Sequence, residues 1–354
     1  MCSDAPVRSD AGSSLVSPTR TIHARAAASA VGPLLADGHR VLFWGDILES
    51  DPTLLSALPD GDLVPVIWTY ERPRTADEPL RISDGVRAVI AGLGIDPEML
   101  SAGFGPRLAS FADLGRELWV APGTSSWNSL VGRIDNAREN LLDAATAGID
   151  AGATGYLVTD WGDNGHLQPL SVSFGPALFG GAVSWCAGTN ADLDIASVLD
   201  ARVFGDEAGV LGGVLDTLGR QWSRTGQSAH NGSPLQAALC VAQFQFVFGK
   251  PDADQVESIV ATIDDAIETL DGARPTCGDA ALVVREVRLA ARMARHGALR
   301  LLGRAGAPAA SDDELRAELA ELVDEYREVW LERSRPGGLD DSVAHLEATL
   351  ATYR

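Results

Sequence analysis

Four short apolar runs, each opening into a polar loop and each with a tryptophan at its C-terminal end, constrain this 354-residue chain more than any other feature. The first is Val41-Leu42-Phe43-Trp44, followed by Gly45-Asp46. Leu63-Val64-Pro65-Val66-Ile67-Trp68 leads into Thr69-Tyr70-Glu71. Glu117-Leu118-Trp119-Val120-Ala121 leads into Pro122-Gly123-Thr124-Ser125-Ser126-Trp127-Asn128. Gly155-Tyr156-Leu157-Val158 leads into Thr159-Asp160-Trp161-Gly162-Asp163-Asn164-Gly165-His166. Short apolar runs of this kind read as fully buried strands. Helix candidates lie between them, the clearest from Ile134 to Ala151 with Asn136 and Asp143 on its polar side. Buried strands alternating with helices predict βα units and a parallel sheet. In such folds ligands bind at the C-terminal ends of strands, where these loops gather.

Residues 1–19 are rich in Ser, Asp, Ala and Pro without periodicity and read as a disordered leader. An α/β region is expected over 20–190, opening with a helical pattern from Arg20 to Asp37. After about Thr189 only helices are expected, giving an all-α domain over 191–354. Their predicted spans are Ile195–Val203, Ala208–Arg224, Leu235–Phe248, Val256–Asp271, Asp279–Leu302, Asp312–Glu332 and Leu339–Tyr353. Leu and Val recur there at three and four residues, with charges on the other face.

With 28 Lys plus Arg against 49 Asp plus Glu, the chain carries a formal net charge of −21. That acidity argues against a nucleic-acid partner, and with Lys250 as the sole lysine there is no polybasic stretch for an anionic membrane. No signal peptide and no apolar run of about 18 residues is read, so no transmembrane helix is expected. Cys2, Cys186, Cys240 and Cys277 have no paired spacing, which predicts neither disulfides nor a zinc site and makes the cytoplasm the expected location.

The loop Asp160-Trp161-Gly162-Asp163-Asn164-Gly165-His166 is the densest constellation. Its side chains suit a metal, a polyol or a plain polar turn. It lacks the alternating oxygen ligands of hard-cation loops, so no metal site is assigned. A sugar fits better, since a pyranose offers hydroxyls to carboxylates and a C–H face to an indole. Trp44, Trp68, Trp127 and Trp161 end the four strands, and Asp46, Tyr70, Asn128 and Asp163 follow within two residues. With Asp160 and His166 they form the candidate substrate-binding set. No nucleophile elbow, dinucleotide fingerprint or phosphate loop occurs, and no cofactor is assigned. His23, His39, His230, His296 and His345 are isolated, with surface or helix-end roles expected. The Asp-Glu pairs at 206–207, 313–314 and 324–325 suit helix first turns or solvated faces.

At the same four loops the chain resembles glycoside hydrolase family 20, the β-N-acetylhexosaminidases. The stretch Arg333-Ser334-Arg335-Pro336-Gly337-Gly338-Leu339 with Asp341-Ser342 resembles the helical tail behind such barrels, so the likeness spans roughly residues 20–350. It implies a (β/α)₈ TIM-type barrel, of which 20–190 would be the C-terminal half with about four parallel strands. It also implies removal of terminal β-linked N-acetylglucosamine or N-acetylgalactosamine by substrate-assisted retaining hydrolysis. By resemblance Trp44, Trp68 and Trp161 wall the sugar pocket, Asp163 holds distant hydroxyls, and Trp127 and Asn128 lie near the acetamido side. The family's Asp-Glu acid pair ends the fourth barrel strand, whereas the runs here match the fifth to eighth. Asp77-Glu78 does not match that position, so no catalytic residue is assigned. The expectation is a shortened family member acting on an amino-sugar glycoside, its open barrel edges favouring self-association. The alternative is a non-catalytic carbohydrate-binding or helical interaction protein.

Overall fold

The computed structural model describes residues 29–49, 59–75, 87–88, 91–92, 96–111, 115–240, 247–307 and 310–353. The leader expected at 1–19, Cys2, His23 and the Asp77-Glu78 pair lie outside the described residues. The chain divides into two compact units, Met1–Val66 and Ile67–Arg354, and the division falls inside a strand.

In the first unit residues 29–36 are helical and end at Gly38, whose φ of 80° is the left-handed conformation that closes a helix. Strand β1 (Val41–Trp44) then pairs in parallel with β2 (Leu63–Trp68), from Val41 opposite Leu63 to Trp44 opposite Val66. The β2 run is buried from Leu63 to Ile67, as its unbroken apolar sequence predicts. The expectation of a fully buried β1 is corrected: Leu42 is 38% exposed and Trp44 42%. These two residues share one face of the strand, and that face is exposed. Helix α1 (Asp46–Glu49) follows, with Asp46 in its first turn.

In the second unit β3 (Trp119–Ala121) pairs in parallel with β4 (Gly155–Tyr156). Hydrogen bonds continue past both strands, from Leu157 N to Val120 O, Thr159 N to Pro122 O and Thr124 N to Thr159 O. The chain is thus mixed α/β with parallel strand pairings. Helix α2 (Phe104–Ala109) precedes β3, and α3 (Ile134–Asp150) joins β3 to β4. Asn136 was expected on the polar side of α3, but it is fully buried. Asp143 accepts the Phe104 N–H at the start of α2 (2.7 Å) rather than facing solvent alone.

Helix α4 (Leu170–Asn190) contains no charged residue and is long and apolar enough to cross a membrane by length and composition, contrary to the expectation that no such segment exists. Serines and glycines interrupt its apolar run in sequence, which hides it from a count of consecutive apolar residues. Half of its apolar window is buried inside the fold, and its backbone departs from helical geometry at Cys186.

The apolar core of this unit is one cluster running from Leu130 to Tyr353. Helices α5 (Ile195–Val198), α6 (Leu211–Gly219), α7 (Pro234–Leu239), α8 (Ala253–Leu270), α9 (Ala280–Ala305), α10 (Asp312–Arg333) and α11 (Leu339–Leu350) contribute to it. Three expected helices differ. The Ala208–Arg224 span is α6 (Leu211–Gly219) followed by a separate 3₁₀ turn, Gln221–Arg224. The Ile195–Val203 span becomes α5 plus a wider π-helical turn, Leu199–Phe204. The Leu235–Phe248 span ends as a helix at Leu239, and Val247–Phe248 is a strand, β6, antiparallel to β5 (Ser228–Ala229). The segment after Thr189 is therefore not helical throughout. His296 is not at a surface or helix end; it is fully buried, and its ring nitrogens meet Glu318 Oε2 (2.8 Å) and Tyr353 Oη (2.7 Å). Asp206 is likewise buried, accepting the N–H groups of Val210 and Leu211 at the start of α6.

Candidate functional site

Helix α3 organises the loops that follow β2 and β3 through two asparagines with no exposed surface. Asn136 Nδ2 donates to Tyr70 O and to Ser125 Oγ, both at 2.8 Å, while its Oδ1 accepts from Arg72 N (3.0 Å). One turn on, Asn140 Nδ2 donates to Thr69 O (2.9 Å) and Glu71 O (3.2 Å), and its Oδ1 accepts from Gly123 N (3.1 Å). Each amide uses both its donor and acceptor ends. The loop backbones are satisfied by a rigid helix rather than by water, which holds the side chains they carry in place.

Just before α3, the Arg133 guanidinium is fully enclosed and donates from Nη1 to both oxygens of Glu71 (2.9 and 3.2 Å). Its carbon lies 5.1 Å from the centre of the Trp222 ring, whose Nε1 donates to Asp135 Oδ1 (2.7 Å). Glu71 Oε1 also accepts from Asn231 N (2.7 Å). Burial alone raises the Glu71 carboxyl, but the charges of Arg133 and His230 and these hydrogen bonds outweigh it and hold the group below its ordinary value. Glu71 is therefore a carboxylate at neutral pH, suited to clamping the loop and unsuited to donating a proton.

The clamped loops gather aromatic rings around Tyr70. Trp68 stacks on it with centroids 5.0 Å apart and planes at 23°. Trp127 meets it edge-on at 5.0 Å and 87°, and Trp161 lies at 6.3 Å and 58°. Trp127 is fully buried and forms the floor beneath Tyr70, while Tyr70, Trp68 and Trp161 keep part of their surface open. Gly123 makes this floor possible. A Cβ there would lie 2.3 Å from the Trp127 ring and 2.9 Å from Tyr70. Gly123→Ala should destabilise the fold by about 1–3 kcal/mol through overpacking. Gly105→Ala, in a helical position with open space around it, should be neutral or slightly stabilising. Urea unfolding followed by tryptophan fluorescence reads both; equal midpoints would remove Gly123 from this role.

Polar groups border the rings. Asp160 is exposed and accepts a hydrogen bond from Thr124 Oγ1 (2.9 Å). Asn164 Nδ2 donates to Asn128 Oδ1 (3.2 Å), and Asn128 Nδ2 to Asn231 O (3.3 Å). Asn128, Asn164 and Asn231 all have φ between 50° and 56°, a left-handed conformation that asparagine tolerates better than most residues. Ser125 (55°) and Leu130 (67°) in the same β3 loop share it, so this loop stores backbone strain.

Of the expected site residues, Trp68, Tyr70, Trp127 and Trp161 come together, with Asp160 and Asn128 beside them in the same loops. Asp163 is exposed in the β4 loop. His166 turns toward the helices, its ring 6.2 Å from Trp330 and nearly perpendicular to it. Trp44 and Asp46 belong to the first unit, where both are exposed. Among the described residues no group of three His, Cys, Asp or Glu side chains could hold a metal ion. Glu71, Arg133, Asn136 and Asn140 were absent from the expected set. Arg133, Asn136 and Asn140 lie at i, i+3 and i+7, one helical face shared with the buried Ala137, Leu141 and Ala144. Polar residues in register with an apolar stripe were the available signal.

No protein-family model matches the chain, and no curated protein matches it. Among solved structures it is similar to a GH138 enzyme targeting pectin rhamnogalacturonan II, at 12% identity with a TM-score of 0.37. The match covers 91% of this chain and 45% of that one, so the chain spans less than half of that enzyme's length. The similarity to a glycoside hydrolase is a distant one.

Proposed function

We propose that the chain binds a terminal amino sugar of the kind that glycoside hydrolase family 20 recognises, N-acetylglucosamine or N-acetylgalactosamine in β linkage. The observation that carries this reading is the ring cluster on Tyr70, with the Asp160 carboxylate and the Asn128 amide in the same loops. The partly exposed rings of Trp68, Tyr70 and Trp161 suit the C–H face of a pyranose, and the carboxylate and amide suit its hydroxyls. On this reading β1 to β4 represent the C-terminal half of a (β/α)₈ barrel.

Binding without hydrolysis is favoured over catalysis. A general acid must be protonated near working pH; Glu71, the buried carboxylate of these loops, is held ionised by Arg133, and Asp160 is exposed and committed to Thr124 Oγ1. Titration calorimetry with N-acetylglucosamine should give a Kd near the millimolar range, about −4 kcal/mol, and Trp161→Ala should weaken it at least tenfold. No heat at tens of millimolar sugar, or no change on Trp161→Ala, would sink the binding proposal. Release of nitrophenol from an aryl β-N-acetylglucosaminide by the purified chain would instead establish hydrolysis.

A further inference from the structure

Two of the chain's six asparagines precede glycine, and both pairs stand in loops of the candidate site: Asn164-Gly165 after β4, and Asn231-Gly232 beside Glu71. The backbone nitrogen after an asparagine can attack its side-chain amide, and a glycine leaves that nitrogen unshielded because it has no Cβ. The surroundings of the two pairs differ. Asn164 is exposed, with φ of 56° at the asparagine and 84° at Gly165. Gly165 N donates to no acceptor among the described residues. His166 N is bonded to Ser342 Oγ (3.2 Å) instead of closing the turn on Asp163 O, so the turn has no hydrogen bond of its own to hold it. The fold also requires glycine at 165, since a Cβ there would lie 2.9 Å from His345 Cδ2. Asn231 is enclosed by contrast. Its N–H donates to Glu71 Oε1 (2.7 Å), its carbonyl accepts from Asn128 Nδ2 (3.3 Å), and its side-chain Oδ1 is buried. Turning that amide onto Gly232 N would first require the loop to open.

We propose that Asn164 is a site of spontaneous covalent modification, converted to aspartate and isoaspartate through an imide formed with Gly165. Gly165 N forms a bond to Asn164 Cγ while the Cγ–Nδ2 bond breaks, and the proton lost from Gly165 N leaves with Nδ2 as ammonia. Water then opens the imide at either carbonyl, giving aspartate or, with the backbone rerouted through the side chain, isoaspartate. No oxidant or reductant takes part. The product replaces a donor by a carboxylate. Asn164 Nδ2 now donates to Asn128 Oδ1 (3.2 Å); after conversion two acceptors face each other there, in a loop that already carries the exposed Asp160 and Asp163. Isoaspartate also lengthens the backbone of the loop that holds Trp161. On the reading of this site as one for sugars, which this consequence rests on, affinity should fall as the chain ages.

The test incubates the purified full chain for weeks at mildly alkaline pH and follows both pairs by peptide mass spectrometry. A gain of about 1 Da at position 164, as a mixture of aspartate and isoaspartate, should accumulate roughly tenfold faster than at Asn231. In urea the two rates should converge, because the protection of Asn231 comes from the fold. Asn164→Gln, whose longer side chain closes the ring poorly, should stop the change at 164. No gain at 164 overturns the proposal, as do equal rates at the two pairs in the folded chain. Aspartate without isoaspartate also overturns it, because direct hydrolysis of the amide makes no isoaspartate. The comparison of the two pairs within the unaltered chain stands even where the variant fails to fold. Titration calorimetry with N-acetylglucosamine on Asn164→Asp is a separate measurement, expected to show weaker binding than the parent. A parent that binds no sugar defeats the sugar reading and leaves the mass result as it is.

Discussion

Arg133→Met should destabilise the second unit by about 3–5 kcal/mol, the cost of leaving a partly buried carboxylate without its counter-ion. The side chain of Arg133 has no exposed surface and that of Glu71 is 14% exposed, so water cannot take over the lost interaction. Urea titration should register the loss as a lower midpoint with an unchanged slope. Glu71→Gln combined with Arg133→Met should recover part of it, because the double variant leaves no unpaired charge. A single variant within about 0.5 kcal/mol of the parent would show that the pair has no structural role. The same pair predicts a pH dependence. Folding holds the Glu71 carboxyl below its ordinary value, so the unfolded chain binds the extra proton first as pH falls. The stabilisation is therefore complete well above about pH 4.3, the unfolded value, and is lost as pH drops through the lowered folded value. Arg133→Met should flatten the acid limb of the stability profile.

Asn140→Ala is the second large effect. It removes the partner of Gly123 N and of two carbonyls, Thr69 O and Glu71 O, in the buried seam between the β2 and β3 loops. Each orphaned buried group costs about 1–3 kcal/mol, so a loss of about 3 kcal/mol or more is expected. Asn140→Asp should be no better, because a carboxylate would face two carbonyl oxygens. Glu139→Ala, one residue away on the exposed face with a loose ion pair to Arg72 (3.5 Å), should stay within about 0.5 kcal/mol. Sugar affinity should fall with Asn140→Ala if the seam holds the aromatic rings in position. Unchanged affinity in a destabilised but folded variant would separate the seam from the rings.

Local pattern carried the strand and helix readings that came out correctly. Val64, Val66 and Ile67 are buried on both faces of β2, and an unbroken apolar run announces that arrangement wherever it occurs. Ile134–Asp150 was legible because its apolar residues repeat at helical spacing over 17 residues. Val247–Phe248 was not legible, because its pairing partner Ser228–Ala229 lies well upstream and two-residue strands have no period of their own. The exposed face of β1 escaped for a related reason: Leu42 and Trp44 are apolar by sequence, and only their neighbours in space decide whether they are covered.

The same division runs through the candidate site. Run length and alternation are local properties of the chain, and they already put tryptophans and polar residues at the C-terminal ends of parallel strands. Packing between distant segments made Trp127 a floor and Trp161 a partly open wall, and turned His166 toward Trp330. Folding likewise joined Arg133 to Glu71 across 62 positions and Asn140 to Thr69 across 71. Burial and ion pairing are pairwise properties of groups distant in sequence. A residue's type states what it can offer, and the fold determines what it meets.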